Sequence, residues 1–176
     1  MARKTQTYIK YLTVSAMLCA LGVILLSLGA LVEVLDISVA VIASLLVVYA
    51  VIEMGDAYPW MIWIVTSIVG YLLMPKTPVL FFALFFGYYP ILKEKLERLP
   101  RMIAWVLKIV TFHLSLGIMA FGMWLFFPAM LEGLGQLLLL AGLYVTSVAA
   151  FIIYDIALTR IITFYFIRLR ERFRIK

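Results

Sequence analysis

The sequence predicts an all-α integral membrane protein, a six-transmembrane-helix bundle with its N- and C-termini cytoplasmic. Three observations lead there. Hydrophobic residues make up 66% of the 176, where soluble domains hold roughly half, and the mean hydropathy is +1.15. Apolar runs recur at about the 20-residue length that carries a helix across a hydrocarbon core of about 30 Å. Basic residues gather in alternate connecting segments, the pattern that orients a chain in a membrane. The short alternating segments of a transmembrane β-barrel are missing.

The spans read as 11–32, 37–55, 58–74, 78–92, 102–127 and 136–160, within a single domain of 1–176. Glu33 and Asp36 end the first. Gly55 and Pro59 turn the second into the third, with Pro59 suited to the opening turn of a helix. Pro75 and Pro78, neither able to donate a backbone hydrogen bond, separate the third from the fourth. The fourth leaves through Gly87, Tyr88, Tyr89 and Pro90 into a basic loop, and Pro128, Gly133 and Gly135 part the fifth from the sixth. No turn former interrupts 161–176, so this basic tail is expected to continue the sixth helix into the cytoplasm, its arginines near the headgroups.

With the N-terminus inside, Arg3, Lys4 and Lys10 are cytoplasmic. So are Lys93, Lys95, Arg98 and Arg101 of the loop, and Arg168, Arg170, Arg172, Arg174 and Lys176 of the tail. The outer loops hold only Lys76. The net charge of +6 therefore reports topology and a lipid-bilayer partner, with no nucleic acid implied. The first apolar run is too long for a signal-peptide core and ends at no small-residue cleavage site, so it is expected to remain as a membrane helix. The protein is expected to be a multi-pass protein of the cell (plasma) membrane.

The lone Cys19 can form no internal disulfide. One His and one Cys do not make a zinc, haem or iron–sulfur site, so no metal or cofactor is expected. No glycine-rich phosphate loop and no Ser/His/Asp arrangement at one interface is present, and no residue is assigned as catalytic.

Span one is rich in small residues. Ala16 and Ala20, four apart, share one helix face, as do Ser15 and Cys19. Side chains this small let a second helix approach closely, so these four form a candidate partner-helix interface; packing within the chain's own bundle is the alternative.

In span five, Lys108, Ser115, Met119 and Gly122 share a face, and His113, Gly117, Ala120 and Trp124 share another. Lys108 either snorkels to the cytoplasmic boundary or forms an ion pair, because a lipid-facing charge costs at least about 2.5 kcal/mol. Asp155 and Arg160 of span six offer partners, as Asp155–Lys108 or Asp155–Arg160. Lys108, His113, Asp155, Arg160 and Tyr89 thus form a candidate polar intramembrane site. Such a pair serves either to clip helices together or as a functional gate. A candidate outer pocket collects Glu33, Asp36, Trp124 and Tyr144, with Ser38, Lys76, Thr77, Glu132 and Gln136 nearby; an interfacial aromatic belt is its competitor.

The stretch 11–22 (YLTVSAMLCALG), with Ala16 and Ala20 in an AxxxA pattern, opens a six-span layout that covers nearly the whole chain. In these features the chain resembles the substrate-binding S components of energy-coupling-factor transporters. The resemblance implies that the alanine face meets a membrane coupling protein driven by a pair of ATPases. It also implies that a vitamin or related micronutrient binds from outside. Only Ala16 and Ala20 carry over from the family, and the polar intramembrane residues here lie toward the cytoplasmic half. Two other readings stand beside it. One is a non-transport scaffold of the morphogenesis type, and the other is a membrane enzyme or carrier using Lys108, His113 and Asp155.

Overall fold

The computed structural model describes residues 2–55, 57–74, 76–126 and 134–169, and all of its regular structure among them is helical. Among the described residues, four helices are long and apolar enough to cross a membrane: Tyr8–Leu31, Asp36–Met54, Arg101–Phe121 and Leu139–Arg168. Ala57–Leu73 is apolar but shorter. Large apolar side chains stand on the outside of these helices, among them Leu28, Ile68, Leu114 and Ile153. Water would penalise that surface, whereas acyl chains solvate it. The chain divides into two compact units, Met1–Leu107 and Lys108–Lys176.

In the first unit, α1 (Ala2–Leu31) packs on α2 (Asp36–Met54) and α3 (Ala57–Leu73). A 3-10 turn, Glu33–Leu35, joins α1 to α2. The helix α2 lies innermost, because Ala40, Ala43, Ser44, Val47 and Ala50 recur on the helical period and are all buried. Side chains this short let α1, α3 and the later helices of the unit come close enough for dispersion contact along their length. Asp36 sits in the first turn of α2, where a carboxylate suits the helix dipole. Gly55 ends α2 at φ 86°, ψ −171°, a conformation open in practice only to glycine. At the far end of α1, Lys76 Nζ donates to the Ala30 carbonyl at 2.9 Å and so supplies a partner to a helix C-terminus.

The region expected as one span over 78–92 is built differently. It comprises α4 (Thr77–Phe81), a π-helical segment Phe82–Phe86, a turn at Gly87 and Tyr88, and α5 (Tyr89–Leu96). Two groups explain the interruption. The Trp63 indole Nε1 of α3 donates to the Ala83 carbonyl at 3.1 Å, and the Gly87 amide bonds the Phe82 carbonyl at 2.7 Å in the wider π register. Pro90, in the first turn of α5, has no amide to continue the ladder.

Because α5 runs to Leu96, Lys93 and Lys95 are helical residues here, where the sequence reading placed them in a loop. Lys93 Nζ stands 3.1 Å from Glu97 Oε1, and Arg98 pairs with Glu94, so two i,i+4 ion pairs extend the helix.

The second unit holds α6 from Lys108 onward (the helix spans Arg101–Phe126), α7 (Leu134–Phe164) and a closing π-helical turn, Tyr165–Leu169. From Lys108 onward the buried residues of α6 among those described are Lys108, Phe112 and Ser115; in α7 they are Phe151, Tyr154, Asp155 and Leu158. Both sets follow the helical period, so each helix turns one narrow stripe inward. The expected tail over 161–176 is helical as far as Leu169; its later residues, Arg170, Arg172, Arg174 and Lys176, lie outside the described residues.

Candidate functional site

The stripes of α6 and α7 meet through an ion pair and a ring stack. Deepest in charge terms, Lys108 Nζ stands 3.1 Å from Asp155 Oδ2, with the two side chains 6% and 5% exposed. That burial decides between the sequence alternatives for Lys108: its ammonium is held by a carboxylate and does not reach outward. Arg160, the other partner considered for Asp155, is exposed. Beside the pair, Phe112 stacks on Phe151 with ring centroids 4.7 Å apart and planes 19° from parallel. The rings shield the ion pair on that side and keep its effective dielectric low. Thr159 Oγ1 donates to the Asp155 backbone carbonyl at 3.0 Å, and Ser115 Oγ to the Thr111 carbonyl at 2.9 Å, each a bond within its own helix.

His113 occupies the neighbouring, exposed face of α6. Its Nδ1 lies 2.8 Å from the Ile109 carbonyl, and its Nε2 lies 2.8 Å from the Tyr144 hydroxyl. A carbonyl only accepts, so Nδ1 carries the proton; in the neutral ring Nε2 then accepts from Tyr144. Both ring nitrogens are engaged, which makes this a hydrogen-bonded helix clip between α6 and α7. Tyr144→Phe removes the hydroxyl donor, and the expected loss is about 0.6 kcal/mol, the usual size of such bonds within membranes. Thermal unfolding in a mild detergent measures it.

The other sequence-predicted residues lie as follows. Tyr89 is wholly buried in the first unit, stacked on Phe85 at 5.9 Å. Ser15 is buried, and its hydroxyl faces Met54 Sδ at 3.5 Å. Cys19 is half-buried, its Sγ 3.9 Å from the Ile62 carbonyl. Ala16 and Ala20 lie on the adjoining face of α1, about 100° round, and are exposed. Of the candidate outer pocket, Asp36 is half-buried and Tyr144 is taken up by His113. The side chains of Glu33 and Trp124, like those of Glu132 and Gln136, lie outside the described residues.

One arrangement escaped the sequence reading. Lys93 is fully buried, and Lys95 Nζ lies 5.8 Å from the centroid of the Trp60 ring. The signal was available in the 93–98 stretch (KEKLER), whose opposite charges recur four apart and so favour a helix over a loop.

Comparisons with protein-family models, with curated proteins and with solved structures found no match to this chain.

Proposed function

We propose that this chain is the substrate-binding membrane subunit of an energy-coupling-factor-type uptake transporter. It captures a small vitamin-like or related micronutrient, while a separate coupling protein and its ATPase pair supply the energy. The observation that carries this reading is the division of α1 into two faces. Ser15 is buried against α2, whereas Ala16 and Ala20 remain on an exposed face. A small-residue face left open within a membrane suits a second helix at close range better than it suits lipid, because two helices with short side chains gain dispersion contact along their length.

In this reading the protein sits in the plasma membrane with six passes, counting 77–96 as one broken pass, and with both termini in the cytoplasm. The bias of basic residues supports that orientation: Lys76 stands alone in the outer loops, against the clusters at the N-terminus, at 93–101 and in the tail.

A second reading rests on a different observation. The buried Lys108–Asp155 pair, with His113 on the adjoining face, is the chemistry that a membrane carrier or enzyme acting from the cytoplasmic side would use. A scaffold without ligand would use the same pair only as a clip.

The test is affinity purification of the full chain from its native membrane in mild detergent, with proteins and small molecules identified by mass spectrometry. The expected result is recovery of a membrane coupling protein with paired ATPases, and its loss in Ala16→Trp at unchanged expression and thermal stability. Stable recovery of other protein partners, with no ATPase and no ligand, favours the scaffold. A bound small molecule released by Asp155→Asn in a folded protein, with no ATPase recovered, favours the carrier.

A further inference from the structure

At the end of the first unit where α1 and α3 begin and α5 stops, aromatic rings form two short strings. Tyr58 meets Tyr11 edge to face at 5.4 Å and Tyr8 at 6.5 Å. Trp63 meets Trp60 at 5.5 Å and Tyr88 at 5.8 Å, again edge to face. Trp63 is fixed from behind by its hydrogen bond to the Ala83 carbonyl. The second string ends in a cation, Lys95, set over the Trp60 ring.

The charged residues of α5 and of the turn that follows it are satisfied in different ways. Lys93 pairs with Glu97 and Arg98 with Glu94, so those charges cancel in place. Lys95, exposed between them, is held by an aromatic face. A ring attracts an ammonium through its quadrupole without neutralising it. Lys95, exposed beside the ring, still has N–H donors to offer an anion outside. Tyr and Trp settle where hydrocarbon gives way to headgroups, one side apolar and the other wet. A lysine presented from such a ring stands at the level of lipid phosphates. Nearby, Leu99, Met102 and Tyr8 expose apolar surface suited to acyl chains, and Arg101 adds a second exposed cation.

We propose that Trp60 and Lys95 form a binding site for the headgroup phosphate of an anionic phospholipid. The indole positions the ammonium, the phosphate accepts its N–H donors, and the exposed apolar side chains of this end take the upper acyl chain. The site goes beyond transport and does not depend on a coupling partner.

The test uses the purified full chain in mild detergent, titrated with dioleoyl phosphatidylglycerol or dioleoyl phosphatidylcholine. Bound lipid is counted by native mass spectrometry, and thermal unfolding is followed in parallel. Phosphatidylglycerol is expected to bind in preference to phosphatidylcholine. Lys95→Gln is expected to weaken phosphatidylglycerol about fivefold, the effect of one basic contact, and phosphatidylcholine less, because the choline offsets the charge of its phosphate. Lys95→Arg should retain the preference, and Trp60→Leu should lose it as Lys95→Gln does. Lys76→Gln, at the other end of α1, should leave it intact. Equal binding of the two lipids by the unaltered protein overturns the proposal, as does an undiminished preference in Lys95→Gln. An equal loss in Lys95→Gln and Lys95→Arg also overturns it, because position alone would then matter. Glycerol phosphate competing as well as the intact lipid overturns it in favour of a soluble-anion site.

Discussion

Asp155→Ala is expected to cost about 3–5 kcal/mol, because it leaves the Lys108 ammonium buried without a counter-charge. The geometry makes the loss severe. Both side chains are almost fully enclosed, and the Phe112–Phe151 stack stands beside them, so water cannot reach the orphaned cation without local opening of the hairpin. Asp155→Asn keeps the shape and one acceptor, and should fall between Ala and the unaltered protein. The double change Lys108→Met with Asp155→Leu removes both charges and keeps the volume, so most of the stability should return. Unfolding curves in mixed detergent micelles measure all three. The double variant also separates the roles of the pair. A folded double variant that still works assigns the pair to architecture alone. A folded one that has lost its function assigns the pair to the mechanism.

Gly87→Val is the second large effect expected. A Cβ at this position collides with Trp63 Cδ1 and stands 2.8 Å from the Phe82 carbonyl oxygen and 3.0 Å from Phe82 Cε1. The indole cannot swing away cheaply, because its Nε1 is committed to the Ala83 carbonyl. The Phe82 oxygen is backbone, already bonded to the Gly87 amide. Overpacking of this kind costs about 1–3 kcal/mol, and a valine should reach the upper end. Gly87→Ala should show the same sign at smaller size, and Trp63→Ala combined with Gly87→Ala should recover part of it. Loss of thermal stability in detergent, together with a change in tryptophan fluorescence as Trp63 is displaced, reads the effect. Both changes should centre on the π-helical segment, which this contact holds between α4 and α5.

Much of the local design is legible in the chain itself. Lys108 and Ser115 share one side of a helix and His113, Gly117 and Ala120 another, because successive residues advance by a fixed angle. The structure buries Lys108 and Ser115, leaves Met119 of the same face half-buried, and exposes His113, Gly117 and Ala120. Pro59, Pro78 and Pro90 each stand in the first turn of a helix, where a missing amide does no harm. The membrane character follows from composition and from run length, two properties that need no knowledge of contacts.

Composition and periodicity along the chain account for its helical class, for helices apolar enough to cross a membrane, and for the face each residue occupies on its own helix. The tertiary structure alone decided how those faces are used. It gave Asp155 to Lys108 and left Arg160 exposed, a choice that depends on distances between residues 47 apart in the chain. It buried Ser15 while leaving Ala16 and Ala20 open. It also broke the fourth apolar run around Trp63, whose indole comes from a different helix. It set Lys95 on Trp60, although by composition Lys95 was one more topological charge. The physical reason is common to all four. Periodicity and hydropathy act along one helix, whereas pairing, burial and steric contact act between segments that only folding brings together.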